Sequence, residues 1–284
     1  MTIAAGLLCD EGVVLCADTQ ETIPGYVKTD TEKMRTFLRP IYNISFTGAG
    51  DSDLIEMTIE EIDRRLTLEN PTALWPILKA IKDALADVFK KRIGPYGVFS
   101  PETRPEIPTL LIVIQFSAAT LLYKASGTKL RRLHESDCIG MGVILGKSLI
   151  GQLFDPKISL TQSGLIAVYI LNQVKRWVDT CGGKSDILLI FNRDKNIIRI
   201  PTDKVEELEK HFDEFSLRVR PVLMAAADAT VPHSEYEKAM HQFAIDVLAL
   251  RGKFMEMKQF FRSLYQLAGI PLPKDLEEMI AKEE

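Results

Sequence analysis

Apolar positions along this chain fall into short alternating or continuous runs for most of its length and switch to a three/four rhythm in a few longer segments. Thr2 to Cys9 and Val13 to Asp18 are two apolar runs separated by Asp10-Glu11-Gly12, which reads as a hairpin turn. Gln20 to Lys33 is polar and turn-rich around Pro24-Gly25. After Lys33 to Leu38 and Pro40, the stretch Ile41 to Phe46 alternates as a third strand, which Thr47-Gly48-Ala49-Gly50-Asp51-Ser52 breaks. Small residues there let a strand turn tightly into a helix and leave backbone N–H groups exposed in the bend. Leu54, Met57, Ile62 and Leu66 have helical spacing, and a second helix follows Asn70-Pro71-Thr72, with Leu74, Ile77, Leu78, Ile81, Leu85 and Val88 on one face. Its basic end, Lys90-Lys91-Arg92, suits a helix C-terminus.

Ile93 to Pro108 holds four prolines and reads as a loop. Leu110 to Phe116 and Thr120 to Ala125 are consecutive strands, the first apolar on both faces and therefore central in a covered sheet, and Lys129 to Leu133 continues the meander. Cys138 to Gly146 alternates small and large residues at the head of a new element. Thr161 or Ser163 caps a long helix through Ala167, Ile170, Leu171, Val174 and Val178, which Asp179 to Gly183 ends. Ser185 to Phe191 and Asn196 to Ile200 form a last hairpin. From Asp203 the pattern is helical, with capping boxes at Asp203-Lys204-Val205-Glu206 and Ser234-Glu235-Tyr236-Glu237. The second of these helices runs toward Leu267 with a possible break at Gly252, and Lys274 to Ile280 is a short terminal helix. Phe243, Phe254, Met255, Met257, Phe260 and Phe261 supply a core between these helices, with part of the cluster left for a subunit contact. The boundaries implied are a body over 2–200 and a helical extension over 201–284.

Composition changes this picture little but excludes several functions. The 284 residues are 46% apolar and 26% charged, and the net charge of -4 with a pI near 5.7 gives no basic patch for nucleic acid or an anionic membrane surface. No apolar run is long enough to span a bilayer, and the start lacks the features of a signal peptide. Cys9, Cys16, Cys138 and Cys181 have no metal-like spacing and read as reduced thiols of a cytoplasmic protein. The four histidines form no ligand set, and the Gly48-Ala49-Gly50 turn lacks the lysine of a phosphate loop, so neither a metal nor a cofactor is expected.

The candidate chemistry lies at the start. If Met1 is trimmed, Thr2 offers a hydroxyl nucleophile and an α-amine whose ordinary pKa of about 7.7 to 8.0 lets it act as a base near neutrality. Thr2 to Asp18, then Lys33, then Thr47-Gly48 resembles the β-type subunits of the proteasome and the bacterial HslV peptidase. These are N-terminal-nucleophile (Ntn) hydrolases: α+β proteins built as a four-layer αββα sandwich. The resemblance runs over Thr2 to Ile200 and is strongest in the first fifty residues. It implies Thr2 as nucleophile, Asp18 and Lys33 as its charged partners, Gly48 as the oxyanion N–H, and Asp179 as the aspartate of the family's Asp-x-x-Ser-Gly segment. Lys28 competes with Lys33, but the register to Gly48 favours Lys33.

Two hydroxyls of the family's proton-handling arrangement are missing: Gly140-Met141-Gly142 replaces a Ser-Gly-Ser element and lacks the serine hydroxyl that helps orient the terminal amine, and Gly182 stands where the later serine would be. The helical tail exceeds the end of a usual β subunit and resembles the extended ends of divergent bacterial proteasome homologues. The resemblance implies a threonine-type peptidase in a homo-oligomer, a ring or a helical stack, taking peptide or unfolded-protein substrates, with any ATP dependence supplied by a separate ATPase unfoldase. The competing expectations are an amidase on a non-peptide substrate and an inactive scaffold or assembly subunit.

Overall fold

The computed structural model describes residues 2–22, 28–95, 106–117, 119–192, 196–228, 230–267 and 269. They fall into two compact units, Met1–Thr202 and Asp203–Glu284. In chain order the first unit runs β1 (Ile3–Cys9), β2 (Gly12–Asp18), β3 (Gln20–Thr22), β4 (Lys28–Asp30), β5 (Met34–Leu38), β6 (Tyr42–Ala49), α1 (Ser52–Glu69) and α2 (Leu74–Val88). It continues with β7 (Thr109–Phe116), β8 (Ala119–Ser126), β9 (Lys129–Arg132), β10 (Asp137–Gly140), α3 (Val143–Leu153), α4 (Leu160–Trp177), β11 (Ser185–Phe191) and β12 (Ile197–Arg199). Two antiparallel five-stranded sheets result, one ordered β10-β1-β2-β11-β12 and the other β5-β6-β7-β8-β9, with β3 and β4 as a separate two-stranded ribbon.

Side-chain alternation stacks these sheets. On β6, Tyr42, Ile44 and Phe46 face α1 and α2 and bury Ile62, Leu66, Ile77 and Ile81 against the sheet, together with Ile112 and Ile114 of β7. The opposite face of β7, with Leu111 and Val113, meets Ala4, Val13, Leu15, Leu188 and Ile190 of the other sheet. β7 is thus buried on both faces, as its unbroken apolar run requires. The outer face of the first sheet is covered by α3 and α4, where Ala167, Ile170, Leu171 and Val174 are fully buried. The layers are helix, sheet, sheet, helix: the four-layer αββα sandwich.

Several expected boundaries move. The polar Gln20 to Lys33 segment contains the paired strands β3 and β4, and Lys33 to Leu38 contributes β5, because each finds a partner that local pattern does not reveal; Pro24-Gly25 lies outside the described residues. Helix α2 ends at Val88 and passes into a π-helical turn, Phe89–Ile93, that carries the three basic residues. The cap of α4 is neither Thr161 nor Ser163, which lie buried inside the helix, but Ser159, in a capping box with Gln162. A long-range contact reinforces this earlier start: the Glu11 carboxylate, from the β1–β2 turn, accepts the Leu160 N–H at 2.8 Å. Helix α4 stops at Trp177, with Val178 as an extended cap, and the Asp179 to Gly183 segment follows its end as expected.

Among the described residues the second unit holds α5 (Thr202–Ala227), whose first residue closes the first unit, and α6 (His233–Leu267). Each begins one residue before the expected cap, placing Asp203 and Ser234 inside the first turn, and α6 continues without a break through Gly252. Phe215 and Phe243 bring their rings to 5.8 Å, and Arg218 faces Asp246 at 3.7 Å. The terminal helix expected over Lys274 to Ile280, and the side chains of Phe254, Met257 and Phe261, lie outside the described residues. No described helix is long and apolar enough to cross a membrane.

Candidate active site

The register of the first sheet puts the two ends of the opening hairpin side by side. Ala4 pairs with Ala17, so Thr2 and Asp18 meet at the open end of the β1–β2 ladder. Asp18 is fully buried and Thr2 almost so. Burial of a carboxylate is tolerated only with partners, and Asp18 has four. Its Oδ1 accepts the Thr2 hydroxyl, the Ile3 N–H at 3.2 Å and the Lys33 ammonium at 2.8 Å; its Oδ2 accepts the Gly182 N–H at 2.9 Å.

Lys33, just before β5, is anchored as tightly. Besides Asp18, its Nζ donates to Thr2 Oγ1 at 2.6 Å and to the Gln20 carbonyl, so all three ammonium protons have acceptors. The residues on both sides of it are held by Arg199 of β12, whose guanidinium meets Glu32 at 2.7 Å, the Met34 carbonyl at 3.5 Å and Asp186 at 3.1 Å. The Asp186 acid is itself pushed above the usual carboxylate range by burial. An ammonium beside a hydroxyl can stabilise negative charge that develops on its oxygen, while the Asp18 carboxylate is placed to accept the hydroxyl's hydrogen bond.

The start of β1 is gripped by backbone. Gly140 of β10, opposite Ile3, has φ +94, and a Cβ there would lie 2.1 Å from the Thr2 carbonyl oxygen. Gly142 N–H reaches the same carbonyl at 3.5 Å. The side chain between them, Met141, is exposed. The second missing serine has a physical counterpart as well: a Cβ on Gly182 would lie 2.4 Å from Gln20 Oε1. The Gln20 side chain, buried and donating to the Thr180 carbonyl at 3.4 Å, fills the space a serine would need.

In front of Thr2 opens a cleft of about 850 Å³, with Lys33 and Gly48 on its wall. The β5–β6 ladder ends at Met34 opposite Thr47, whereas the β6–β7 ladder continues to Ala49. The backbone of Gly48 therefore has no strand partner on its β5 side. Of the residues expected from the sequence, Thr2, Asp18 and Lys33 come into direct contact, and Gly48 shares their cleft. Asp179 sits apart, exposed in the turn after α4, off the cleft and outside the bonds that hold Asp18. Sequence reading missed Gln20 and Glu21. Neither carries a motif, and only the docking of the β3–β4 ribbon brings them to Lys33 and to the cleft.

The four thiols offer no rival nucleophile. All are buried and free; burial pushes Cys16 and Cys138 up to about 12 and Cys181, which lies near Asp18, up to about 11, while Cys9 is raised for the same reason. Among the described residues no group of three or more His, Cys, Asp or Glu side chains is placed to hold a metal ion.

Two layers of helix around two antiparallel sheets, with the β1–β2 hairpin presenting its first residue at a sheet end, define the proteasome-like fold of the Ntn hydrolases. Solved structures agree. Anbu (ancestral beta-subunit) from Yersinia bercovieri matches 77% of this chain and 96% of its own at 14% identity, with a TM-score of 0.64. A Gly-1 mutant of Anbu from Hyphomicrobium sp. strain MC1 matches 78% and 96% at 15% identity and a TM-score of 0.63. The helical assembly of the Anbu complex from Pseudomonas aeruginosa matches 82% and 99% at 13% identity and 0.66. No family model matches the sequence, and no curated protein does. The likeness is one of fold.

Proposed function

We propose that this protein is a self-associating, proteasome-like subunit of the cytoplasm, and that within that frame Thr2 is the nucleophile of an Ntn amide hydrolase that cleaves peptide bonds. The comparisons support the proteasome-like fold and self-association. The catalytic half is carried by one observation: Lys33 Nζ lies 2.6 Å from Thr2 Oγ1 and 2.8 Å from Asp18 Oδ1 in a buried cluster. Removal of Met1 would free the Thr2 α-amine. The hydroxyl proton then passes to that amine while Oγ1 attacks the substrate carbonyl, and the Lys33 charge stabilises the developing alkoxide. Asp18 holds Lys33 in place beside the hydroxyl. The backbone N–H of Gly48, in the part of β6 that has no β5 partner, is the candidate donor to the tetrahedral oxygen, typically the largest electrostatic contribution. The protonated amine returns its proton to the leaving amine, and water resolves the Thr2 ester.

A second reading is a non-catalytic assembly subunit. Two observations favour it: neither Gly140-Met141-Gly142 nor Gly182 provides a hydroxyl where the resembled family has serines, and Gln20 fills the space beside Gly182. A third, an amidase on a non-peptide substrate, shares the machinery and differs only in what enters the cleft. The Pseudomonas assembly supports helical rather than ring association for this chain, with any ATPase unfoldase a separate partner.

Intact-mass analysis and N-terminal sequencing come first, followed by a threonine-directed peptide epoxyketone. The expected result is a mature chain beginning at Thr2, stoichiometric labelling, and its loss in Thr2→Ala. A retained Met1, or an unlabelled Thr2 in a correctly processed chain, overturns the catalytic half in favour of the assembly subunit. A labelled protein that cleaves no member of a broad peptide library favours the non-peptide amidase.

A further inference from the structure

The cleft is strongly unbalanced in charge. Of its lining residues eight carry carboxylates and three carry cations. Each cation is already engaged: Lys33 by Asp18, Arg35 by Glu56 at 3.5 Å and Glu32 at 3.6 Å, and Arg64 by Glu61 at 2.7 Å. Asp53, Glu60 and Glu106 have no ion-pair partner among the described residues. A concave site of one sign concentrates field and raises the local concentration of the opposite charge.

One of these carboxylates is built in rather than merely present. Glu21, on β3, lines the cleft together with Thr2. Its Oε2 accepts the Thr31 hydroxyl at 2.8 Å, and the Ser52 hydroxyl, at the start of α1, hydrogen-bonds to the same carboxylate. The bond from Ser52, more than that from Thr31 or the nearby Lys33 charge, holds Glu21 below the usual carboxylate range. It is therefore an oriented anion near the nucleophile. Phe37, Ile55 and Ile59 line the same cleft and offer apolar surface. The combination suits a long side chain with methylenes along its stem and a cation at its tip.

We propose that this cleft is a subsite for a lysine or arginine side chain adjacent to the scissile amide, with Glu21 as its recognition carboxylate. The inference rests on the reading of Thr2 as nucleophile. A neutral side chain there makes no ion pair with Glu21, Asp53, Glu60 or Glu106, and an acidic one adds to the repulsion. Selectivity is then a difference between an ion pair made and one withheld.

The test uses the processed full chain and three peptide epoxyketones that differ only in the residue beside the warhead: lysine, norleucine or glutamate. Labelling of Thr2 is followed by intact mass. The lysine probe should react about 10- to 100-fold faster than norleucine, the range expected for a charged hydrogen bond in a partly desolvated site, and glutamate should be slowest. In Glu21→Gln the lysine-to-norleucine ratio should fall roughly tenfold, and in Glu21→Lys the order of lysine and glutamate should reverse. Glu106→Gln, at an exposed position, is the companion variant if the Glu21 variants fold poorly, and should lower the same ratio by a smaller factor. Equal rates for the three probes, with labelling abolished by Thr2→Ala, overturn the subsite and leave the nucleophile standing. An unchanged ratio in folded Glu21→Gln overturns the role of Glu21. Failure of all three probes overturns the nucleophile, and the subsite with it.

Discussion

Replacing Gly182 with alanine isolates the departure that most separates this site from the pattern it resembles. Its new Cβ would sit 2.4 Å from Gln20 Oε1 and 3.1 Å from Gln20 Cδ, well inside van der Waals contact. The backbone at Gly182 has no positive φ, so the penalty arises from crowding alone. Two outcomes bound its size. If Gln20 stays, the site is overpacked, at about 1–3 kcal/mol. If Gln20 turns away, it gives up its bond to the Thr180 carbonyl at 3.4 Å and disturbs a buried amide, again about 1–3 kcal/mol. Gln20→Ala alone should cost about 1–2 kcal/mol for the lost contacts and hydrogen bond. Once Gln20 is short, however, the added methyl at 182 has room. The double variant should therefore be more stable than the sum of the singles predicts, by at least about 1 kcal/mol. Urea unfolding followed by far-UV circular dichroism measures all four corners of the cycle. A Gly182→Ala variant within about 0.5 kcal/mol of wild type, or strict additivity, would refute the claim that Gln20 has taken the serine's place.

Three further outcomes are expected. Asp18→Asn leaves the Lys33 ammonium without its carboxylate and sets an amide N–H against at least one of four donors. It should cost about 3 kcal/mol in denaturant titration and slow epoxyketone labelling at least ~100-fold, and a variant labelled at the wild-type rate removes Asp18 from the site. Gly140→Ala, at φ +94 and pressed on the Thr2 carbonyl, should cost at least about 2 kcal/mol and displace Thr2; unchanged stability and labelling together would show that the grip on Thr2 is loose. Glu61 has its pKa drawn down from 4.5 to about 2, first by the hydrogen bond from Arg64 and then by Arg65. Because its folded pKa is the lower one, its contribution is complete above pH 4.5 and vanishes as the pH falls toward 2. Glu61→Gln should therefore lose roughly 1 kcal/mol or less at pH 7 and converge with wild type near pH 2; a constant gap in acid unfolding across that range contradicts the assignment.

Much of this protein is legible without coordinates, and the reason is local. The β1–β2 hairpin, the double-faced β7, the faces of α1, α2 and α4 and the switch to helix after Ile200 follow from side-chain periodicity and turn residues. Those determine which face is buried whatever the partner. The spacing of Thr2 and Asp18 is local in the same sense: a tight turn between two seven-residue strands brings their far ends together. Elements that exist only through a partner were not legible. Strands β3 and β4 are short and polar, β5 is only five residues long, and α4 starts where Ser159 and the distant Glu11 carboxylate put its cap.

The site divides along the same line. Sequence by itself determined the nucleophile candidate, its aspartate and the choice of Lys33 over Lys28. It marked the absent serine at Gly182 but not what replaced it. Only the tertiary structure decided that Gln20 fills that space, that Asp179 stands on an exposed turn, and that Glu21 is fixed by two hydroxyls on the wall of an acidic cleft. Those facts depend on how a ribbon, a helix start and two sheet ends are brought together, and contacts between distant segments leave no periodic trace in the chain.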